Sequence, residues 1–475
     1  MPKIAIRDIA LIALSIIFLA ACAPSGGGLS QDDQVATLVA ATLNANNGGQ
    51  QPTTESTVSG EIPTQSAQGA CANSGQFTLV YNASGNIYVW VNGTSSQLTN
   101  TGDVEHVNIS DDGCRIAYNR LVPNPLFEPN QDFPMQERVD ELWVMNSDGS
   151  NAHALADTQY FLAQPVTQED TMVSLYEFDW QPGTYTLVFD TYLVHPGVGQ
   201  ALNNDLYTVS ADGGEPTVLL GKNQGGGKFA ISPDGQQIAF STPTNVNVVN
   251  FDGSNLRTNL ITFPMVITYS EYALSPEVHW APDSDSLMVA VPPEDGLLAP
   301  QNGVYPETTL YYIPLDGSPS FEAGAVQVHP FSFTQFFFSP DNGRIAYLRQ
   351  IGDPQNNQDE LVIALSNGSN ELPAISAPQV LFQAWSPDNT QYIYSYNDGA
   401  FHLFLGNVNN QNVQPISQLD TFTALAGHME WIEGTTFVMV LTNGQSAQLS
   451  VMDISGSGTI LVFAPEFDIP FDVAH

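Results

Sequence analysis

Basic residues are nearly missing from this chain: 10 Lys plus Arg stand against 49 Asp plus Glu in 475 residues, a formal net charge of -39. That excludes nucleic-acid binding in any ordinary mode, because affinity for a phosphate backbone comes from Lys and Arg that displace counterions. The charged total is only 12%, against ~25% in typical globular chains. The excess negative charge therefore arises from absent bases, and the surface reads as an exported coat of Asn, Gln, Ser and Thr. Catalytic signatures are absent as well: there is no Gly-x-Ser-x-Gly elbow, His-Glu-x-x-His helix or Cys-x-x-Cys pair. Gly221 to Lys228 fails as a phosphate loop, since one residue too many separates Gly221 from Gly227 and Phe229 stands where Ser or Thr is required. It is read as a connecting loop. With 32 Pro and 38 Gly, long helices are excluded, whereas 43% hydrophobic residues, including 25 Phe and 17 Tyr, supply a large core and exclude disorder.

One apolar run stands out at the start, from Ile9 to Ala21, interrupted by Ser15 and preceded by Lys3 and Arg7. It is too short for a comfortable membrane span and reads as an export signal over residues 1–22. Its end, Leu19-Ala20-Ala21-Cys22, resembles the bacterial lipoprotein processing box. That resemblance implies that the Cys22 thiol receives a diacylglyceryl group and becomes the new N-terminus. The small residues before it let the backbone enter a peptidase cleft. Two or more acyl chains anchor a protein stably, so the expected location is extracytoplasmic, on the cell membrane or, in a diderm, the outer membrane. Residues 23–74, rich in Gly, Asn, Thr, Ser and Gln, are read as a tether that buries too little apolar surface to fold. Within it, Val35, Leu38, Val39 and Leu43 recur at helical spacing.

From residue 75 onward one pattern repeats. It stands as Ile109-Ser110-Asp111-Asp112-Gly113 before Ile116-Ala117-Tyr118, as Ile231-Ser232-Pro233-Asp234-Gly235 before Ile238-Ala239-Phe240, and as Phe338-Ser339-Pro340-Asp341-Asn342-Gly343 before Ile345-Ala346-Tyr347. Trp280, Trp385, and the eroded copies at Trp180 and Trp431 begin four more, so four of the six tryptophans share one place in the repeat. The copies start at 109, 180, 231, 280, 338, 385 and 431, at intervals of 71, 51, 49, 58, 47 and 46 residues. Such periods correspond to one four-stranded blade each. Pro presets a turn, Asp or Asn tolerates its second position, and Gly supplies positive φ.

These motifs resemble the TolB-type, WD-like β-propeller family, over residues 75–475. The family resemblance implies an all-β propeller. It does not bring TolB's partners with it, because neither a TolB-like N-terminal domain nor a peptidase domain accompanies the repeats. Seven copies leave three strands over at the front and one, Phe467 to Val473, at the back. Pairing them closes an eighth blade, the favoured count, while seven stays open if the front strands pair otherwise. In the repeat frame Ser74-Gly75 aligns with Asp112-Gly113, which puts Cys71 and Cys114 beside the first turns of neighbouring blades. An exported chain can keep a disulfide between them; the alternative is two free thiols.

Two regions are candidates for function. Residues one and three places before the motif's first residue face the same side of each innermost strand. This collects His106, Glu177, Asp179, Glu277, His279, His428 and Glu430 near the axis, with Lys228 and Asn108 beside them. Carboxylate and imidazole groups so placed could hold a divalent cation or a charged ligand. A polar lining is also what a wet axis has in any case. The second region is the face that carries the long insertions, at 121–140, 192–204, 292–308 and 349–359, and the links at 156–175 and 262–276. It bears Phe127, Phe133, Tyr160, Phe161, Tyr192, His195, Tyr269, Tyr272 and Tyr305, mostly types that anchor binding surfaces. The leading expectation is a membrane-anchored binding module or scaffold for a protein, peptide or glycan of the envelope or exterior, with no cofactor and no catalysis. The competing one is a metal-dependent lyase or hydrolase in the channel, since families with similar repeats place a metal among channel histidines and carboxylates.

Overall fold

The Ser-Pro-Asp-Gly turn is closed by its own side chains. Ser232 Oγ donates to Asp234 Oδ1 at 2.6 Å and accepts the amide of Gln237 at 2.9 Å, while Gly235 takes φ +68°. The same pair of bonds recurs at Ser110, Ser339 and Ser386. These four repeats thus carry a locally encoded reversal between two strands. The structure, a computed structural model, describes Cys71 and residues 75–474 except 129–135, 167–171, 195–199, 223, 225–227, 268–272, 294–306, 329–335, 352–357, 410–412, 420–423 and 467.

Eight antiparallel sheets form a ring, which makes this an eight-bladed β-propeller. In chain order blade 1 spans residues 104–156, blade 2 172–220, blade 3 228–262, blade 4 278–327, blade 5 336–378, blade 6 381–419 and blade 7 424–464. Blade 8 joins the chain's two ends: the strand Phe471–Ala474 pairs antiparallel with Thr78–Ala83, in the register Thr78 to Ala474 and Tyr81 to Phe471. The closing strand begins four residues later than the sequence suggests. Blade 2 has a fifth strand, Gln200–Leu202, added beside Thr186–Val194 from within the insertion read as loop. The insertion after Leu121 is shortened by a long hairpin that pairs Pro123 with Arg138, and the link after Ala156 contains a helix, Thr158–Leu162, capped by Asp157.

The core lies between blades. In the Ile-Ala-aromatic strand the outer two residues pack toward the preceding blade and the alanine toward the following one. Ile238 and Phe240 lie with Val188, Leu206 and Leu220 of blade 2, whereas Ala239 lies with Leu287 and Val289 of blade 4. Ile345, Tyr347 and Ala346 repeat this between blades 4 and 6. A small residue is required because large side chains of the next sheet fill that face. Sulfur atoms of Cys71 and Cys114 are bonded, tying the chain just ahead of blade 8 to the first turn of blade 1.

Candidate functional site

The first strand of each blade stands at the axis, and three blades hand a hydrogen bond to the one before. The indole of Trp180 donates to Asn108 O at 3.3 Å, that of Trp280 to Ala230 O at 2.9 Å, and that of Trp385 to Phe337 O at 2.9 Å. This contact explains the tryptophan at that place in the repeat. The residue whose carbonyl is caught is the one immediately before the motif, so the ladder also fixes which side chains meet at the axis.

Asp179 Oδ1 accepts the side-chain amide of Asn108 at 3.2 Å and its neighbour's backbone amide, Trp180 N, at 2.8 Å. Its surface opens to the channel, yet protein surrounds it. This desolvation raises its pKa above the usual carboxylate range, despite those two bonds. Glu177 sits in a bulge between Leu175 and Phe178, and its Oε1 accepts the Phe229 amide of blade 3 at 3.4 Å. Burial pushes it up to about 7, with Asp179 and Glu277 adding to the rise and Lys228 opposing it. Lys228 Nζ meets Glu277 Oε1 at 2.9 Å, a half-exposed pair of modest energy. Burial acts against the Lys228 charge, but Glu277 holds its pKa above the ordinary value. The His279 ring lies 5.0 Å from that of Phe338, and burial keeps it below the usual imidazole range. A hollow of about 20 Å³ between Lys228, Glu277, His279 and Phe336 has room for one water.

Asp472 belongs to the same ring and escaped the sequence reading. It lies on the closing strand, which carries no copy of the turn motif, so only the pairing of the chain's ends reveals its equivalence to Asp179. Its Oδ2 accepts the Ile109 amide at 2.7 Å, and burial, assisted by the charges of Glu430 and Asp179, pushes it up to about 7. His106 is exposed and its backbone amide donates to Asn119 Oδ1 at 2.6 Å. Glu430 is half-buried on the strand Ala424–Glu433, and the side chain of His428 on that strand lies outside the described residues. Among the described residues, blades 5 and 6 contribute no charge here, and Phe337 and Phe382 stack at 4.8 Å instead. The described axis is therefore an acidic arc running from blade 7 to blade 4 and closed by an aromatic segment. Among the described residues, no group of three or more His, Cys, Asp or Glu is placed to hold a metal ion.

The second candidate region is only partly described, since Phe133, His195, Tyr269, Tyr272 and Tyr305 lie outside the described residues, as does Cys22. Phe161 is a correction: it is wholly buried, because the short helix turns it inward between blades 1 and 2. Tyr160 packs edge-on against Phe161, Phe189 and Tyr207 and serves the same cluster. Phe127 is half-buried, and Tyr192 meets Tyr176 edge-on at 6.2 Å. A separate cleft of about 730 Å³ opens between blades 8 and 1 beside the disulfide. The Arg115 guanidinium on its wall is held by Asn146 at 2.5 Å and Asp212 at 3.1 Å and lies over Tyr185. The cleft is larger than the axial hollow, but its charged groups are already engaged, whereas those of the axis converge.

No protein-family model matches this chain, and no curated protein matches it. Among solved structures it is similar to an oligogalacturonate lyase in complex with manganese, at 13% identity over 60% of this chain and 83% of that one, TM-score 0.41. An oligogalacturonate lyase from Vibrio parahaemolyticus matches at 12% identity, 76% and 85% coverage and TM-score 0.42. A eukaryotic initiation factor matches at 11% identity, 84% and 98% coverage and TM-score 0.45. At these values the likenesses carry no functional argument, and the fold rests on the chain's own eight sheets.

Proposed function

We propose that this chain is an exported, lipid-anchored propeller that binds a basic segment of a protein or peptide partner at the acidic arc of its axis. One observation carries the reading: among the described residues, Glu177, Asp179, Glu277, Glu430 and Asp472 come from four blades to one axis and meet a single lysine, Lys228. A cationic group entering there relieves repulsion among the carboxylates, and an anionic one is repelled by them and by the whole molecule. Phe337, half-buried against the core residue Phe382, offers an aromatic face to the apolar part of a Lys or Arg side chain. Anchoring at Cys22 is supported by the Leu19-Ala20-Ala21-Cys22 box.

The test uses the full mature chain in detergent and two synthetic peptides of equal length, one bearing four Arg and the other four Glu. Calorimetry is expected to show saturable binding of the first alone, weakened at least tenfold by Asp179→Asn together with Glu430→Gln. Equal binding of both peptides, or indifference to the double substitution, would sink the proposal. Turnover that depends on an added divalent metal would move the lyase or hydrolase reading ahead. Anchoring is read from incorporation of labelled palmitate, expected in the native chain and lost in Cys22→Ala.

A further inference from the structure

Blades 1 and 2 bulge at the same point of their axial strands, between Val104 and Val107 and between Leu175 and Phe178. In each, the bulge turns a backbone amide away from the sheet ladder and toward a side chain on the second strand. In blade 1 the His106 amide donates to Asn119 Oδ1 at 2.6 Å, and the other end of that side chain, Nδ2, donates to Asp140 Oδ1 at 2.9 Å. Both ends of Asn119 are used. In blade 2 the Glu177 amide donates to Asp190 Oδ1 at 3.0 Å, but no described donor reaches Asp190 Oδ2, and the residue is 1% exposed. Asn119 and Asp190 hold the same position, four residues into the strand after the turn. A carboxyl stands where the neighbouring blade has an amide.

The surroundings of Asp190 favour the neutral acid. Glu177 on the axial strand and Asp205 ahead of the third strand are the charged groups that bear on it most. Asp205 is already occupied by the amide and hydroxyl of Thr191 and by Asn203 Nδ2. From blade 3, Lys228 is engaged with Glu277, and the packed strand Gln237–Ser241 contains no charge. A bare carboxylate in such a place is strongly disfavoured, so the group keeps its proton instead. Burial accordingly raises the acid well above its ordinary range, and the two neighbouring carboxylates act in the same direction.

We infer that Asp190 acts as a neutral hydrogen-bonding post in the place that Asn119 holds in blade 1, accepting the Glu177 amide through Oδ1 alone and so positioning the bulge that presents Glu177 to the axis, and that ionising it loosens the bulge. The inference rests on the axial site as the place of binding, but it has readouts that need no ligand. Loss of the proton strengthens the bond to the Glu177 amide itself but leaves a third negative charge buried beside Glu177 and Asp205, and it is the hydration of that charge that opens the bulge. Glu177 would remain an acid of the arc but lose its fixed position.

The experiment compares the full chain with Asp190→Asn and, as a control for Glu177's own titration, Glu177→Gln. Amide hydrogen exchange of residues 172–180, corrected for the intrinsic effect of base, is followed from pH 5.5 to 9 together with thermal melting. In the native chain and in Glu177→Gln, protection of this strand is expected to fall with rising pH, by at most about tenfold per pH unit once a single proton is released. In Asp190→Asn this alkaline limb is expected to vanish, with protection at pH 5.5 equal to the native level. Superimposable profiles for the native chain and Asp190→Asn overturn the inference, as does an Asp190→Asn protein already unprotected at pH 5.5. An Arg-bearing peptide that fails to bind while the exchange result holds removes the axial binding reading and leaves the positioning role standing.

Discussion

Glu177 and Asp472 hold their protons to about pH 7 because both are drawn into the ring and face other carboxylates. Their pKa is raised in the folded chain above the ordinary carboxyl value of ~4. Each therefore contributes stability fully below that ordinary value, and the contribution is lost as pH rises toward and through 7. Stability is expected to be greater at pH 5 than at pH 8 by about 1–2 kcal/mol for each group after allowance for channel water, and the melting temperature correspondingly higher. In Glu177→Gln with Asp472→Asn that slope should flatten, a result that a pH series of calorimetric melts would read directly. The sequence made Glu177, Asp179, Glu277 and Glu430 visible because each precedes a copy of the motif by one or three residues. Asp472 was invisible for want of a motif, and Asp190 because strand alternation marks a position as buried without saying what lies opposite.

At the scale of the element, the repeat is held together by two devices that use different residues. In the four turns that carry both, the serine and aspartate close the turn within its own blade, Asp112 also accepting the Tyr185 hydroxyl of blade 2, while the tryptophan acts between blades. Trp180, Trp280 and Trp385 each satisfy a carbonyl of the preceding axial strand, but the indole nitrogen of Trp431 is buried without such a partner. Trp280→Phe should then cost more than Trp431→Phe, by about 1–2 kcal/mol, since only the first leaves a carbonyl unpaired. Denaturant midpoints of the two variants measure the difference, and equal losses would mean that packing alone explains the residue. Insertion length was a poorer guide to element structure than the turns were. The stretch after Tyr192 adds a fifth strand and the stretch after Ala156 a helical turn, because long connections can pair with or cap the sheet they leave.

Across the whole molecule, stability depends on two closures of the ring near its ends. One is the four-residue pairing of Phe471–Ala474 with the first strand, and the other is the Cys71–Cys114 bond, which spans a sequence separation of 43. A cross-link over a loop of that size restricts the unfolded chain by roughly 3–4 kcal/mol in the chain-entropy account. Cys114→Ser, or reduction, is expected to lower stability by about 2–4 kcal/mol without opening the ring. Thermal melts with and without reductant test the first part, and an unchanged far-ultraviolet spectrum the second. Loss of strand signal on reduction would instead make the disulfide a condition of closure.

By itself the sequence determined the architecture. Local turns, strand alternation and a period near 50 residues are encoded within each repeat, and the count of strands left at the two ends favoured eight blades over seven. The acidic character of the axis was also legible, because the position of a side chain relative to the turn decides which way it points. Tertiary structure alone decided which groups meet. The Lys228 to Glu277 pair, the Asn108 to Asp179 contact, the place of Asp472 and the bare oxygen of Asp190 all join residues of different strands or blades. It also moved Phe161 from a surface to the core. The physical reason is that a repeat specifies its own geometry through local hydrogen bonds, whereas contacts between repeats depend on a closed ring that no single repeat contains.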